Sequence, residues 1–368
     1  FGISLENKQT RFASAMELLT ENIRGKFAAM DLEGPLSTST SLRGSFAYKD
    51  NPRVRVTFNT EDNTAVFDGG KRFSDLTFSG RFINRYYQDD AAVREDVKNF
   101  RIQLPELKGN YRDLLFQIKD MELASSPNAE DAFKAKIQAK GSPESLNDFV
   151  EDQHWSFEGG HFEMSSAIDG RGLDAGSIIS ASQSQFTLED TRIINNDNGV
   201  SLPVRGISLS MEDNNTALEE LRVAVTPGDD LILRAAFRNF SSLFEEESQA
   251  KLHSDFSIES DNLVWDDFIR LLDIANPGRA TEKPEVALQD LLRDIQRKYD
   301  PDIDIELGRF ALGPFLLTDV VSGMHFDGED LLILDNTTFG LPGGRMEMKG
   351  SLDLGSEDRI PLDARLEG

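Results

Sequence analysis

The chain has 368 residues, of which 39% are hydrophobic and 28% charged, a composition typical of a folded globular protein. Its formal net charge is −26 at pH 7, which argues against nucleic-acid binding and against broad docking onto an anionic membrane, because both need clustered Lys and Arg. It contains no cysteine, which excludes disulfides, zinc–thiolate sites and thiol nucleophiles. It carries neither a signal segment nor an apolar run long enough for a membrane helix. We therefore expect an excised portion of a protein whose membrane anchor lies outside this segment.

Alternation of polar and apolar residues dominates the chain and predicts short, half-buried strands. In chain order, the apolar positions of these strands are Val54/Val56/Phe58, Phe100/Ile102/Leu104, Phe133/Ala135/Ile137, Ile207/Leu209/Met211, Leu221/Val223/Val225, Phe256/Ile258, Ile303/Ile305/Leu307 and Met346/Met348 with Leu352/Leu354. Turn signals rich in Gly, Asn, Asp and Pro separate the runs, at 68–70, 198–199, 227–229, 327–328 and 342–344. Strands joined by tight turns predict a long antiparallel meander.

Four short helices are predicted between the strand blocks, at 11–23, 143–151, 262–274 and 285–299, from apolar residues at helical spacing. Ser142 provides an N-cap for the second of these helices. We interpret the helices as lids or end-caps of the sheet. The alternative is that each helix merely packs on a sheet face.

A polar stretch at 276–284, with Pro and Gly at its edges, is the best candidate for a linker. It divides the chain into a β-rich portion with short helices at 1–275 and a helix followed by a β unit at 285–368. A sheet of roughly fifteen one-sided strands, spaced by about 4.8 Å, cannot leave its apolar face in water. The predicted fold class is therefore mainly β: a long antiparallel meander curled into an open groove, or a sandwich, with a few short helices as caps.

The residue types needed for catalysis or metal binding do not occur at the required spacings. The four histidines, at 154, 161, 253 and 325, are widely separated and lack ligand spacing. No nucleophile elbow, phosphate loop or dinucleotide fingerprint is present. Asn195–Gly199 is similar to a calcium loop but lacks its first acidic ligand, so a turn is predicted there. The sequence predicts no enzyme, no catalytic residue, no metal site and no cofactor.

The segment from about 302 to 366 resembles the C-terminal unit of AsmA-like proteins of the bacterial envelope. In order, it contains the alternating strand Asp302–Leu307, the run Asp327-Gly328 before Leu331–Leu334, the stretch Phe339–Arg345 with its paired glycines, and the closing Gly350–Leu354. The family pattern is a strand, a D-G-x-L-x-L hairpin, an F-x-x-x-G-G hairpin and a G-x-L-x-L strand. Earlier blocks of the chain resemble the same unit more weakly.

The resemblance implies a periplasmic protein, anchored to the inner membrane, that binds or transports phospholipid along an apolar β groove between the inner and outer membranes. Its partners would be phospholipid acyl chains and other envelope proteins. The expected groove lining is the set of alternating apolar positions near the C-terminus: Ile303, Ile305, Leu307, Met346, Met348, Leu352 and Leu354. The alternative is a structural or adhesive envelope module, a filled sandwich that binds protein or glycan.

Overall fold

A computed structural model of the chain describes residues 1–17, 24–25, 28–45, 52–87, 96, 98–149, 154–197, 199–226, 228–241, 252–268, 299–327, 331–353 and 362–367. These residues are mainly β, and their strands form one large, open sheet that does not close on itself. The predicted fold class is thereby confirmed. No helix within the described part of the chain is long and apolar enough to cross a membrane.

The chain divides into two compact units, which we describe one at a time. Unit 1 comprises 1–141 and 163–184, and unit 2 comprises 142–162 and 185–368. The predicted linker at 276–284 lies outside the described residues.

Unit 1 contains a series of mostly long strands, most of which pair with their neighbours in sequence. Its first elements are β1 (Gly2–Thr10), α1 (Phe12–Met16), β2 (Met30–Leu32), β3 (Leu36–Arg43), β4 (Arg53–Phe67), β5 (Arg72–Asn84), β6 (Phe100–Tyr111), β7 (Leu114–Ser126) and β8 (Ala129–Gly141). Strand β1 pairs with β3, and β2 and β3 both pair with β4. From β4 to β8 each strand pairs with the next in antiparallel register.

Unit 2 begins with a short 3-10 helix and continues as a second series of strands. The elements that follow β8 are the 3-10 helix Pro143–Phe149, β9 (Trp155–Glu158), β10 (His161–Arg171), α2 (Ala175–Ser180), β11 (Ser182–Asn195), β12 (Ser201–Glu212), β13 (Asn215–Thr226), β14 (Asp229–Phe237), β15 (Leu252–Val264), β16 (Tyr299–Leu312), β17 (Phe315–Asp327), β18 (Leu331–Leu341), β19 (Gly344–Asp353) and β20 (Leu362–Glu367). Strand β10 and helix α2 fall mostly or wholly in unit 1.

The predicted helices are present only in part. Residues 12–16 and 143–149 are helical, and the Ser142 hydroxyl accepts a hydrogen bond from the Glu144 backbone N–H at 3.2 Å. Helix α2 was not predicted, although Asp174 caps it by accepting a 2.9 Å bond from the Ser177 N–H. The helix predicted at 262–274 starts too early, because β15 extends through Val264 and only 265–268 of its described residues are helical.

Strands β15 and β16 depart from the antiparallel pairing that the sequence predicts. Strands β15 and β16 run parallel, with Phe256 opposite Ile303 and Leu263 opposite Phe310. Parallel neighbours need a crossover of a dozen or more residues, and residues 265–298 supply it. The helix predicted at 285–299 falls in this connection. Residues 269–298 lie outside the described part of the chain, and Tyr299 already belongs to β16.

Aspartates in left-handed backbone conformation interrupt several long strands. Asp62, Asp75, Asp120 and Asp319 have φ between 48° and 52° and lie at register shifts in β4, β5, β7 and β17. Aspartate tolerates this conformation better than most residues, and a β-bulge bends its strand. After each bulge, the residues that face inward change from even-numbered to odd-numbered positions, or the reverse. The apolar face therefore continues on the same side of the sheet.

Candidate functional site

Unit 1 contains an apolar cleft of about 290 Å³ on the inner face of its sheet. We call this space the apolar cleft. It spans strands β3 to β7, a width of about 19 Å at the usual strand spacing. All but one of its lining residues are apolar: Phe12, Ala15, Met16, Met30, Leu32, Leu36, Thr38, Val56, Phe58, Ala65, Phe67, Phe73, Leu76, Phe78, Phe82, Ile102, Leu104, Leu107 and Phe116.

Strand β4 shows how the sequence forms this lining. Val56 is buried and Phe58 is half-buried, whereas Arg55, before them, and Thr57, between them, are exposed. After the bulge at Asp62 the parity changes, and the inner face continues through Ala65 and Phe67, which line the same cleft. The strand therefore presents one buried, mainly apolar face along its whole length, despite its broken alternation.

Phenylalanine rings form much of the cleft wall. Phe58 and Phe78 meet edge to face with ring centroids 6.2 Å apart, and Phe67 and Phe73 do so at 5.1 Å. Phe116 on β7 meets Phe73 at 5.8 Å in the same geometry. Phenylalanine has no polar group, so these walls offer contact area without hydrogen bonding.

Two glycines leave space that these large side chains occupy. A Cβ atom on Gly80 would lie 2.4 Å from the Phe58 ring, and one on Gly109 would lie 2.6 Å from Leu76 Cδ2. Neither glycine has a left-handed backbone, so close approach rather than conformation requires glycine at both positions. Small residues on one strand thus accommodate large residues on the next.

The short helix α1 packs against one end of the inner face. Phe12 and Ala15 are buried in one cluster with Leu32, Leu36 and Ala65, and Met16 packs against its edge. The predicted role of this segment as a cap of the sheet agrees with this position, although residues 18–23 lie outside the described part. Helix α1 therefore supplies the part of the cleft lining that the strands do not.

The buried polar groups beside the cleft are hydrogen-bonded to the protein itself. Asn63 Nδ2 donates to Thr60 Oγ1 at 2.8 Å and to the Gly34 carbonyl at 3.0 Å, while Asn63 Oδ1 accepts from the Gly34 N–H at 2.7 Å. The hydroxyls of Thr10 and Thr38 are 2.7 Å apart. Because these groups satisfy one another, they add little polar specificity to the cleft.

The outer face of the same strands is charged. Arg101 forms an ion pair with Glu122, which also accepts a hydrogen bond from Gln103 Nε2 at 3.1 Å. Partial burial acts to raise the pKa of Glu122, but the hydrogen bonds from Arg101 and Gln103 outweigh it and lower that pKa. The hydrogen bond with Glu122 raises the pKa of Arg101. An open polar depression of about 800 Å³ lies on this face, bordered by Arg81, Glu122 and Lys134 among others.

Three of the groove residues predicted from the sequence belong to or contact two packed clusters of unit 2. Ile303 packs with Phe326 and Leu332, and Leu307 packs with Leu231, Leu263 and Val320. Ile305 is half-buried between them and contacts both clusters. The structure therefore brings these three residues of β16 together on one face.

The other predicted groove residues belong to β19 and the stretch after it. Met346 and Met348 are half-buried and pair in register with Phe339 and Thr337. The side chain of Leu352 and the whole of Leu354 lie outside the described residues. Sequence reasoning did not assign the apolar cleft of unit 1, although it found the alternation of Val56/Phe58 and Ile102/Leu104.

Groups with potential chemical reactivity lie on exposed surfaces. His154 Nδ1 lies 2.7 Å from Asp197 Oδ2, and His325 Nδ1 lies 2.7 Å from Asp335 Oδ2. Within the described part of the chain, one group with metal-ligand geometry occurs, formed by His253, Asp255 and Asp302 with ligand atoms within 4.8 Å of one another. Asp255 and Asp302 are exposed, and Arg238 lies 3.5 Å from Asp255, so solvent screens these carboxylates and the guanidinium offsets part of their charge.

Comparisons with known proteins give no further assignment. No family model matches the chain, and no curated protein or solved structure matches it either. The functional argument therefore depends on the geometry of the two sheet faces.

Proposed function

We propose that this chain binds lipid acyl chains on the inner face of its sheet, with the apolar cleft of unit 1 as the principal site. One observation carries the proposal: a space of about 290 Å³ is surrounded almost entirely by apolar side chains. Pockets for small ligands typically measure about 300–1,000 Å³, so this volume suits a slender ligand. Each buried CH₂ group contributes about 0.8 kcal/mol, which makes an alkyl chain the ligand that gains most here.

Among the described lining residues, only Thr38 carries a polar side chain, and this limits the class of ligand. A sugar, nucleotide or peptide would lose hydrogen bonds to water that this lining does not replace. An acyl chain has no such bonds to lose, and its polar head group would remain at the open side of the cleft. The proposed ligand is therefore a phospholipid or fatty acid bound by its chain.

The resemblance of residues 302–366 to AsmA-like proteins supports a more specific version of this proposal. In that version the chain is a periplasmic segment of an inner-membrane-anchored protein that moves phospholipid between the two membranes. In unit 2 the half-buried side chains of Ile305 and Met348 would then contact lipid, because Ile303 and Leu307 are already buried in packed clusters. The non-catalytic role expected from the sequence belongs to the same proposal.

A structural or adhesive module that binds protein or glycan is the second candidate. The open polar depression on the outer face of unit 1 favours it, because carboxylate, amide and basic side chains there suit a hydrated partner. This candidate predicts that the apolar cleft takes up no lipid. The two proposals therefore differ in which face of the same strands is used.

Carboxylates placed in the cleft test the proposal directly. Leu104→Asp with Leu107→Asp puts two charges at half-buried cleft positions, where the fold tolerates them better than in the buried core. We expect the affinity for a fluorescent fatty-acid probe to fall by at least about 100-fold, because charge in the lining opposes burial of several CH₂ groups.

The matched control is Leu115→Asp, which adds a charge at an exposed position of β7, 47% accessible and outside the cleft. This variant should bind the probe as the parent chain does. Equal loss in both variants, or no saturable binding by the parent chain, would remove the support for the cleft as the site.

A further inference from the structure

Two neighbouring turns of unit 2 lie within long uncharged segments. Residues 310–318 and 336–344 contain no charged side chain, in a chain in which 28% of residues are charged. Thr318 on β17 pairs with Gly340 on β18, so the two segments meet at the same end of the sheet. This end carries the β16–β17 turn and the β18–β19 turn side by side.

On the inner face of unit 2, the apolar side chains become more exposed towards this end of the sheet. Leu307 and Val320 are opposite each other and buried. The next inward pair, Phe310 and Leu317, is half-buried and packs against the same cluster. Trp265 supports this pair, with its ring centroid 6.1 Å from that of Phe310.

Beyond that pair, the apolar face continues into solvent. Leu312 and Phe315 flank the turn on this face and are 41% and 62% exposed, and Leu316, on the opposite face of the hairpin, is 50% exposed. We call residues 311–317 the hairpin tip. An exposed group of three large apolar side chains at a turn costs solvation free energy, and such patches mark interaction sites.

The backbone of both turns is suited to an environment that contains no water. Gly313 and Pro314 form a two-residue turn, and Pro342 and Gly343 form the other. Each turn includes a proline, which has no N–H group that must be desolvated. A protein partner would use polar groups at its rim, whereas hydrocarbon requires that few polar groups be present.

The charges nearest the two segments are arranged in pairs of opposite sign. Arg309 and Asp319 bound the first segment, and Asp335 and Arg345 bound the second. All four side chains are exposed. Such a mixed arrangement matches a zwitterionic head-group layer better than an anionic one, and the net charge of −26 opposes approach to anionic lipid.

We propose that the hairpin tip inserts into the outer hydrocarbon region of a lipid bilayer with zwitterionic head groups. The tip would place Leu312, Phe315 and Leu316 below the head groups, with the flanking charges above. This inference goes beyond acyl-chain binding in the apolar cleft, because it identifies the surface that meets the membrane. Either proposal stands if the other fails.

The chain has no native cysteine, so a single introduced cysteine gives a specific probe of insertion. Phe315→Cys, labelled with an environment-sensitive dye, should show a blue-shifted and brighter emission when phosphatidylcholine vesicles are added. Leu115→Cys, labelled in the same way at a similarly exposed position, should show no change. No change at position 315, or equal changes at both positions, would overturn the proposal.

Vesicle flotation gives the second, independent measurement. The triple variant of the tip, Leu312→Ser/Phe315→Ser/Leu316→Ser, should lower co-flotation with phosphatidylcholine vesicles at least tenfold. The control variant, Ile3→Ser/Leu5→Ser/Leu115→Ser, removes as much exposed apolar surface and should have little effect on co-flotation. Binding of the parent chain should weaken when phosphatidylglycerol is added to the vesicles. Tighter binding to the anionic vesicles, or equal loss in both triple variants, would contradict insertion of the tip.

The two proposals are separated by crossing their variants. The tip variant should still bind a monomeric fatty-acid probe, and the Leu104→Asp/Leu107→Asp variant should still float with vesicles. A tip variant that loses probe binding as well would show that the tip belongs to the acyl site, which would contradict its assignment as a membrane contact.

Discussion

The inner faces of the two units are formed by the same kind of strand but differ in how completely they are filled. In unit 1 the face from β3 to β7 surrounds a cleft of about 290 Å³. In unit 2, Ile303 and Leu307 of β16 are buried in clusters of side chains that contact one another. Alternation therefore predicts an apolar face, but it does not determine whether that face is filled.

The side chains on each face suggest why they differ. The cleft wall of unit 1 is rich in phenylalanine, whose rigid rings meet edge to face and leave space between them. The clusters of unit 2 are dominated by Leu, Ile and Val, which interdigitate more readily. The inner face of unit 1 is therefore the candidate binding surface, whereas the inner face of unit 2 mainly contributes stability.

The largest expected difference between the units is in the cost of truncating a leucine. Leu307→Ala in unit 2 should lower the free energy of unfolding by about 2–5 kcal/mol, because a cavity is left in a packed cluster. Leu107→Ala in unit 1 should cost less than about 1.5 kcal/mol, since its half-buried side chain already borders open space. Urea denaturation followed by circular dichroism gives both values.

Tryptophan fluorescence assigns these effects to a unit. The two tryptophans of the chain, Trp155 and Trp265, both belong to unit 2. Leu307→Ala should therefore shift the fluorescence transition, whereas Leu36→Ala in the buried cluster of unit 1 should act chiefly on the circular dichroism signal. A similar loss for Leu307→Ala and Leu107→Ala would show that the two faces are equally filled.

A smaller effect is expected at the aspartate bulges, which both units share. Asp62→Val in unit 1 and Asp319→Val in unit 2 should each lower the free energy of unfolding by about 1–2 kcal/mol, because a β-branched residue is strained in the left-handed conformation. Asp62→Gly and Asp319→Gly serve as controls and should cost much less, since glycine adopts this conformation freely. If valine and glycine had the same effect, the backbone conformation would not be what selects aspartate.

The smallest effect is expected for the ion pair on the outer face of unit 1. The pKa of Glu122 is lowered in the folded chain, so the pair contributes stability above the ordinary pKa of a carboxyl group and loses it as the pH falls through the folded-state pKa. Glu122→Gln should cost less than about 1 kcal/mol at pH 7, and the difference from the parent chain should shrink in acid. Urea titrations at pH 7 and pH 3 measure it, and a difference that grows in acid would contradict the assignment.

Much of the fold could be predicted because alternation and turn residues are local signals. The turn with paired glycines at 69–70 connects β4 to β5, and Gly228 precedes β14. The parallel pairing of β15 with β16 could not be predicted, because a short apolar strand looks the same in either direction. The turn at Arg112 takes a left-handed conformation without glycine and carried no comparable signal.

The candidate site could be predicted only in part, and the bulges explain why. On β5 the cleft residues are Phe73, Leu76, Phe78 and Phe82, whose parity changes at Asp75. A strict period of two therefore assigns Phe73 and Phe78 to opposite faces, although both line the cleft. An aspartate within an otherwise apolar alternating run was the signal that could have corrected the pattern.

Site-specific photocrosslinking tests the central claim of acyl-chain binding most directly. A benzophenone side chain at position 104, inside the apolar cleft, should give covalent lipid adducts by mass spectrometry when the chain is expressed in bacteria and irradiated, and the same group at exposed position 115 should give none. Adducts at positions 305 and 348 would show that the apolar face of unit 2 also contacts lipid. Lipid adducts absent from position 104, or equally abundant at position 115, would contradict the account.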